Sequence, residues 1–91
     1  MLKESTILVT GASAGIGTAC AESFAREGAR LILAARRAGK LEELAARLNK
    51  DHDTDCHLLE LDVRGREKVN AAIEGLPDAW QNIDVLINNA G

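Results

Sequence analysis

Residues 10–17 have the sequence Thr10-Gly11-Ala12-Ser13-Ala14-Gly15-Ile16-Gly17, with three glycines in eight positions. A short run rich in β-branched residues, Thr6-Ile7-Leu8-Val9, precedes it and predicts a buried strand. A helical pattern follows from Gly15 to about Glu27. Between a strand and a helix, one glycine makes the tight turn, one lets the backbone approach a pyrophosphate, and one allows close helix–strand packing. The segment therefore predicts a βα turn that binds phosphate groups.

The helix that begins at this turn supplies the rest of a phosphate site. Its first N–H groups have no partner within the helix, its dipole is positive at that end, and Ser13 adds a hydroxyl donor. The glycines alone leave open a glycine-rich turn without a ligand, but their place inside a complete βαβ unit disfavours that alternative. A nucleoside-triphosphate loop is excluded because no Gly-Lys-Ser/Thr follows, and Gly39-Lys40-Leu41 lies elsewhere.

Outside this turn, apolar runs and helical patterns alternate in the order β-α-β-α-β-α-β. Further strands are predicted at 30–35, 56–61 and 83–87, separated by helices that contain residues 41–48 and 69–76. Single helices between strands indicate an α/β fold with a parallel sheet. We expect the strand order 3-2-1-4, as in the first half of a Rossmann dinucleotide-binding sheet.

The pattern also predicts local features of the helices. Ile16, Cys20 and Phe24 are spaced one turn apart and should face the sheet, and Gly28 should end that helix in a left-handed conformation. On the second helix, Leu41, Leu44, Ala45 and Leu48 should be buried while Glu43 and Arg47 pair on the outer side. Asn49 and residues 51–55 should form a loop, Pro77 should stop the third helix, and Trp80 should pack after it.

Composition excludes several classes of protein. The 91 residues have a net charge of -3, which argues against nucleic acid or an anionic membrane surface as a partner. No apolar run approaches the roughly 20 residues of a membrane helix. Cys20 and Cys56 are too few for a disulfide scaffold, so we expect buried thiols in a reduced, cytoplasmic setting. Residues 51–57 are rich in residue types that bind metals. Their side chains alternate in direction as they enter a strand and cannot all converge on one ion, so we predict no metal site there.

The spacing of the glycines, Thr-Gly-x-x-x-Gly-x-Gly, resembles the fingerprint of the short-chain dehydrogenase/reductase family. Two further segments resemble that family at the expected places: Leu61-Asp62-Val63 at the third strand and Asn88-Asn89-Ala90-Gly91 after the fourth. The resemblance covers the whole chain.

The end of the second strand indicates which dinucleotide is bound. NAD-binding units usually carry an acidic residue there, which accepts hydrogen bonds from the adenosine ribose. This chain has Ala35 followed by Arg36 and Arg37. A guanidinium offers a fork of donors to a 2′-phosphate, so the pair favours NADP(H), with Arg36 the stronger candidate. The alternative is that both arginines are solvated loop charges.

The family resemblance implies further contacts. Asp62 would accept from the adenine amino group, the Val63 backbone would meet a ring nitrogen, and Asn89 with Ala90-Gly91 would lie beside the adenosine ribose. Asn88 would have a structural role, and Asp62 has the alternative of capping the strand. The predicted cofactor-binding residues are Gly11, Ser13, Gly15, Ile16, Gly17, Arg36, Arg37, Asp62, Val63, Asn89, Ala90 and Gly91.

Residues 61–64 and 76–91 resemble more narrowly the NADP-dependent 3-hydroxy acid dehydrogenases, which also oxidise serine and allo-threonine. The family base is a tyrosine with a lysine four residues later, and this chain has no tyrosine. Residues 1–91 are therefore expected to be the N-terminal, NADP-binding part of an oxidoreductase, without catalytic residues of their own, in a homotetrameric parent. A stand-alone, non-catalytic NADP-binding module, or a different reductase or epimerase on the same fold, are the alternatives.

Overall fold

The computed structural model describes residues 4–12, 15–61 and 66–88. Strands and helices alternate through them as the sequence predicts, and the elements are β1 (Thr6–Thr10), α1 (Gly15–Arg26), β2 (Arg30–Ala35), α2 (Ala38–His52), β3 (Cys56–Glu60), α3 (Arg66–Glu74), a 3₁₀ turn (Asp78–Trp80) and β4 (Val85–Asn88). The four strands form one parallel sheet in the order β3-β2-β1-β4. The predicted α/β fold and strand order are confirmed.

The two central strands, β1 and β2, are buried along almost their whole length, and their side chains alternate between two cores. On one face, Ile7, Val9, Leu31 and Leu33 pack against α1 and α2, with Leu41, Leu44 and Leu48 of α2 buried as predicted. On the other face, Leu8, Ile32 and Ala34 pack against Leu76, with Trp80 and Ile83 at the margin. Burial on both faces explains why these strands are apolar at successive positions.

The face that α1 turns to the sheet is only in part the predicted one. The buried residues of α1 are Gly17, Ala21 and Ala25, whereas Ile16 is 73% exposed. Cys20 and Phe24 are half-buried, and Phe24 packs against the core as predicted. Apolar periodicity selects the largest side chains, whereas the close contact of Gly17 with Gly11 leaves small residues at the fully buried positions of this helix.

The helices α1 and α2 are each followed by a residue in the left-handed conformation. Gly28 has φ 87°, Gly28 N–H donates to the Ala25 carbonyl (3.0 Å) and Ala29 N–H to the Phe24 carbonyl (3.1 Å), which confirms the predicted cap. The predicted loop after α2 begins too early, because α2 continues to His52 and ends with Asp53 at φ 57°. The Asn49 side chain donates to the Thr54 carbonyl (3.2 Å) and fixes that turn.

The predicted surface pair on α2 is also different. Arg47 forms its ion pair with Glu22 of α1, 3.6 Å away, and not with Glu43. The Arg47 guanidinium therefore joins two neighbouring helices. Because both side chains are about half exposed, the pair contributes little to stability.

After α3, side chains hold the chain that leads into β4. The helix ends at Glu74, before Leu76 and Pro77, and the Gln81 amide donates to the carbonyls of Glu74 (3.1 Å) and Leu76 (2.6 Å). Trp80 packs at the core margin as predicted, with the Arg30 guanidinium carbon 4.0 Å from its ring centroid. This contact ties the turn before β4 to the start of β2.

β4 begins at Val85, two residues later than predicted. Asp84 N–H donates to the Thr6 carbonyl (2.8 Å), and the Thr6 N–H donates to Asp84 Oδ2 (2.8 Å). The Asp84 carboxylate oxygen thus accepts the hydrogen bond that a backbone carbonyl of a paired strand would otherwise accept.

None of the helices among the described residues is long and apolar enough to cross a membrane. In the same part of the chain, no group of three His, Cys, Asp or Glu side chains is placed to hold a metal ion.

Replacing Asp84 tests this contact between β1 and β4. Asp84→Ala leaves the N–H of the buried Thr6 without its acceptor, so we expect the free energy of unfolding to fall by about 1–3 kcal/mol. Asp84→Asn keeps an acceptor oxygen and should lose less. Urea denaturation of both variants measures the difference, and equal stability of Asp84→Ala and the wild type would contradict the assignment.

The Cys56 thiol gives a pH dependence of stability. Burial, with the neighbouring Asp55 carboxylate, raises the pKa of Cys56 from 9.0 to about 11. Between these values the unfolded chain releases the thiol proton while the folded chain keeps it, so stability decreases as pH rises. We expect the wild type to lose stability relative to Cys56→Ala between pH 9 and 11, with parallel curves below pH 8. Urea denaturation across this range measures it, and parallel curves throughout would contradict the expectation.

Candidate cofactor-binding site

The carboxyl ends of the strands lie at one edge of the sheet because all four are parallel. Thr10 is paired with Ala34 on one side and with Asn88 on the other. Gly11 and Arg36, which follow β1 and β2, therefore leave the sheet at the same edge. In open α/β sheets this edge is where ligands bind.

Gly11 and Gly17 bring the start of α1 against the end of β1. Gly11 has φ 64°, a conformation that side chains disfavour. A Cβ at Gly17 would overlap the Gly11 carbonyl oxygen and lie 2.8 Å from its carbonyl carbon and 3.1 Å from the Ala12 Cα. Gly17 is therefore the glycine that allows close helix–strand packing.

Gly15 has a different environment. Its φ is 54°, and no atom outside its immediate neighbours lies within 4 Å of a Cβ built there. The adjacent Ile16 exposes 73% of its surface, and the first turn of α1 has no acidic residue. The start of α1 thus presents open space, N–H groups that have no acceptor within the helix, and an apolar side chain. This arrangement fits the backbone approach of a diphosphate.

Ala12 is held at three points within the turn. Its N–H donates to the Ala34 carbonyl (3.2 Å), its side chain is fully buried, and its carbonyl accepts from the Thr18 hydroxyl at 2.7 Å. Sequence reasoning missed Thr18. The signal that could have identified it is a hydroxyl residue in the first turn of the helix, directly after the last glycine of the turn.

Arg36 and Arg37 lie exposed beyond the buried Ala35. Arg37 is the N-cap of α2, in extended conformation and without a side-chain capping bond, and the first turn of α2 has no acidic residue. Among the described residues, neither arginine forms an ion pair. Both cations are therefore available to an anionic group at the carboxyl edge.

The structure brings Gly11, Gly15, Ile16, Gly17, Arg36 and Arg37 to this edge. The other predicted site residues lie outside the described residues, and these are Ser13, Asp62, Val63, Asn89, Ala90 and Gly91. The ends of β3 and β4 are nevertheless fixed here. Leu61 N–H donates to the Ala35 carbonyl (2.9 Å), and the Thr10 hydroxyl donates to the Ile87 carbonyl (3.3 Å).

A depression of about 280 Å³ lies at the opposite edge of the sheet, where β2 and β3 begin. Acidic side chains, Glu4, Asp53 and Asp55, contribute to its lining. Their charge opposes phosphate binding, so this depression does not compete with the carboxyl edge as a dinucleotide site.

Comparison with known proteins agrees with this geometry. The model of a family described as short chain dehydrogenase matches residues 5–91. The chain is 43% identical over 86 residues to serine 3-dehydrogenase from Rhizobium radiobacter, covering 94% of this chain and 33% of that protein. It is 46% identical over 87 residues to NADP-dependent 3-hydroxy acid dehydrogenase from Schizosaccharomyces pombe, covering 94% and 34%.

Among solved structures, L-sorbose reductase from Gluconobacter frateurii, complexed with NADPH and L-sorbose, superposes with a TM-score of 0.91. The two chains are 37% identical, and the match covers 99% of this chain and 34% of the reductase. The chain thus spans about a third of the length of the relatives it matches.

Glycine substitutions test the packing of this turn. Gly17→Ala forces the Gly11 carbonyl away, and we expect the free energy of unfolding to fall by about 1–3 kcal/mol. Gly39→Ala is the matched control, because Gly39 is also helical but has open space around its Cβ position. That variant should gain about 0.4–1 kcal/mol from reduced backbone entropy in the unfolded chain. Urea denaturation compares them, and equal effects of the two substitutions would contradict the close contact.

Proposed function

Because the chain belongs to the short chain dehydrogenase family, we propose that residues 1–91 form the NADP(H)-binding part of an oxidoreductase. The reaction would transfer a hydride to or from a small hydroxy acid, or another alcohol or carbonyl compound. The names of the two relatives, a serine 3-dehydrogenase and an NADP-dependent 3-hydroxy acid dehydrogenase, support this class of substrate. The observation that carries the proposal is the glycine turn at the same sheet edge as two arginines that form no ion pair with any described residue.

The glycine turn would hold the diphosphate of the cofactor. Gly15 leaves room for a close approach, the N–H groups at the start of α1 donate, and the helix dipole favours the negative charge. Ser13 would add its hydroxyl. The exposed Ile16 side chain would cover part of the bound dinucleotide and exclude water from it.

Arg36 and Arg37 would distinguish NADP(H) from NAD(H). An acidic residue after β2 would repel a 2′-phosphate, and this chain has the buried Ala35 there instead. Arg36 is the first exposed side chain after the strand, so its guanidinium is the stronger candidate for a charge-assisted, forked contact. The NADPH complex of the similar L-sorbose reductase supports this choice of cofactor.

Contacts to the adenosine are proposed from the family resemblance. Asp62 and Val63 would bind the adenine, and Asn89, Ala90 and Gly91 would line the ribose. When bound, NADP supplies or accepts the hydride. The residues of this chain bind and orient it, and because the chain has no tyrosine, none of them is assigned as the acid–base residue.

Two further properties of the protein are proposed. The active form would be a homotetramer, as the family resemblance implies, and the two unpaired cysteines favour a location in the cytoplasm. The net charge of -3 argues against nucleic acid as a partner.

The likeness to L-sorbose reductase favours a second candidate substrate class, the ketoses and their polyols. Initial rates of the intact protein with NADP⁺ and L-serine or 3-hydroxypropanoate, and with NADPH and L-sorbose, would separate the two classes. Turnover of 3-hydroxy acids supports the first proposal. Turnover of L-sorbose alone supports the second, and no turnover of either with NADP(H) bound supports a non-catalytic module.

Replacing Arg36 tests the choice of cofactor. Because a charge-assisted hydrogen bond contributes about 1.5–3 kcal/mol, Arg36→Ala should weaken NADP⁺ binding about ten- to hundredfold and leave NAD⁺ binding nearly unchanged. Arg26→Ala is the matched control, since Arg26 is exposed at the other end of α1, and it should change neither affinity. Calorimetric titration with both dinucleotides measures this. Equal losses for NADP⁺ and NAD⁺ would show that Arg36 does not bind the 2′-phosphate.

A further inference from the structure

In a phosphate-binding turn, the carbonyl oxygens must point away from the bound phosphate groups. A diphosphate needs N–H donors, and a carbonyl oxygen facing it would repel it and leave a polar group without a donor. In this turn the Ala12 carbonyl is engaged by the Thr18 hydroxyl at 2.7 Å, from the first turn of α1. Its oxygen is therefore occupied on the helix side.

The other contacts of Ala12 leave its carbonyl group little freedom to move. The Ala12 N–H is bonded to the Ala34 carbonyl of β2, and its methyl group is fully buried. The carbonyl is the remaining polar group of the residue, and the Thr18 hydroxyl is the contact that holds it. Because a peptide group is planar, fixing this oxygen fixes the orientation of the whole group.

From these contacts we infer that Thr18 is a positioning residue for dinucleotide binding: its hydroxyl holds the Ala12 carbonyl on the helix side of the glycine turn, so that the turn presents N–H donors to the diphosphate. This inference rests on the proposed function, because it concerns the same turn and the same cofactor. Thr18 itself need not touch the ligand.

The test compares Thr18→Val, which keeps the shape and loses the hydroxyl, with Thr18→Ser, which keeps the hydroxyl. In the intact protein, Thr18→Val should weaken NADP⁺ binding about three- to tenfold, the effect of one hydrogen bond, and Thr18→Ser should restore it to within about twofold. Thr18→Ala should reproduce the loss and serves if the valine variant does not fold. Calorimetric titration measures each dissociation constant.

A second probe, 2′-AMP, lacks the diphosphate and isolates the adenosine end. Its affinity should be unchanged in Thr18→Val if the hydroxyl acts through the glycine turn. The matched control is Thr54→Val. Thr54 is 4% exposed, its hydroxyl has no hydrogen-bond partner among the residues that the structure describes, and it lies between α2 and β3 near the opposite sheet edge. This control should bind NADP⁺ with the wild-type affinity.

The outcomes separate the inference from the proposed function. Unchanged NADP⁺ affinity in Thr18→Val, even with a lowered melting temperature, would overturn the inference and leave a structural hydrogen bond only. Equal losses for NADP⁺ and 2′-AMP would also overturn it, since the effect would not pass through the diphosphate. Failure of the wild-type protein to bind NADP⁺ would overturn the proposed function and the inference with it.

Discussion

The contact between the backbones of Gly17 and Gly11 is the constraint on which the rest of the site depends. Because a Cβ at Gly17 would overlap the Gly11 carbonyl, α1 can begin directly against the end of β1. Further along the helix, the fully buried residues are Ala21 and Ala25. The same approach turns Ile16 outward and places the first N–H groups of α1 beside the open space at Gly15. Packing and ligand binding are thus two results of one close contact.

The edge of the sheet where the strands begin and the edge where they end differ in their side-chain contacts. At the amino edge, side chains close the structure: Asp84 bonds the Thr6 backbone, and Arg30 stacks on Trp80 while donating to the Ala79 carbonyl at 3.0 Å. At the carboxyl edge, the arginines after β2 remain unpaired among the described residues. Both edges carry backbone hydrogen bonds, but only the carboxyl edge keeps two cations without an ion pair in the part of the chain that the structure describes. Functional sites generally carry such unsatisfied groups, which stability alone would not favour.

The sequence predicted most of the fold because its signals were local and strong. β2 was predicted with its observed bounds, β1 within one residue, and the strand order followed from the glycine turn inside a βαβ pattern. The buried face of α1 is only partly predicted: Phe24 packs against the core, but Ile16 is exposed, because periodicity favours large side chains and the close contact of Gly17 with Gly11 does not show in it. Arg47 was assigned to Glu43 because pairing within a helix is visible in a sequence, and its contact with Glu22 depends on how two helices pack. Thr18 was missed for a similar reason, since its partner is a backbone carbonyl six residues away.

The place of β1 between β2 and β4 has a consequence for how the chain acquires its shape during synthesis. β2 follows β1 after one helix, but Asp84 meets Thr6 across 78 positions of sequence. Of the four strands β4 is synthesised last, so the β1–β2–β3 unit with its helices should form first and β4 should join afterwards. At the usual ribosomal rate of about 5–20 residues per second, β4 is synthesised roughly 4 to 15 seconds after β1, and the side of β1 that pairs with β4 is unpaired until then. During that interval the nascent chain exposes an apolar strand with unpaired backbone groups along one side. We expect this to be the period in which β1 can pair with another chain or be bound by a chaperone.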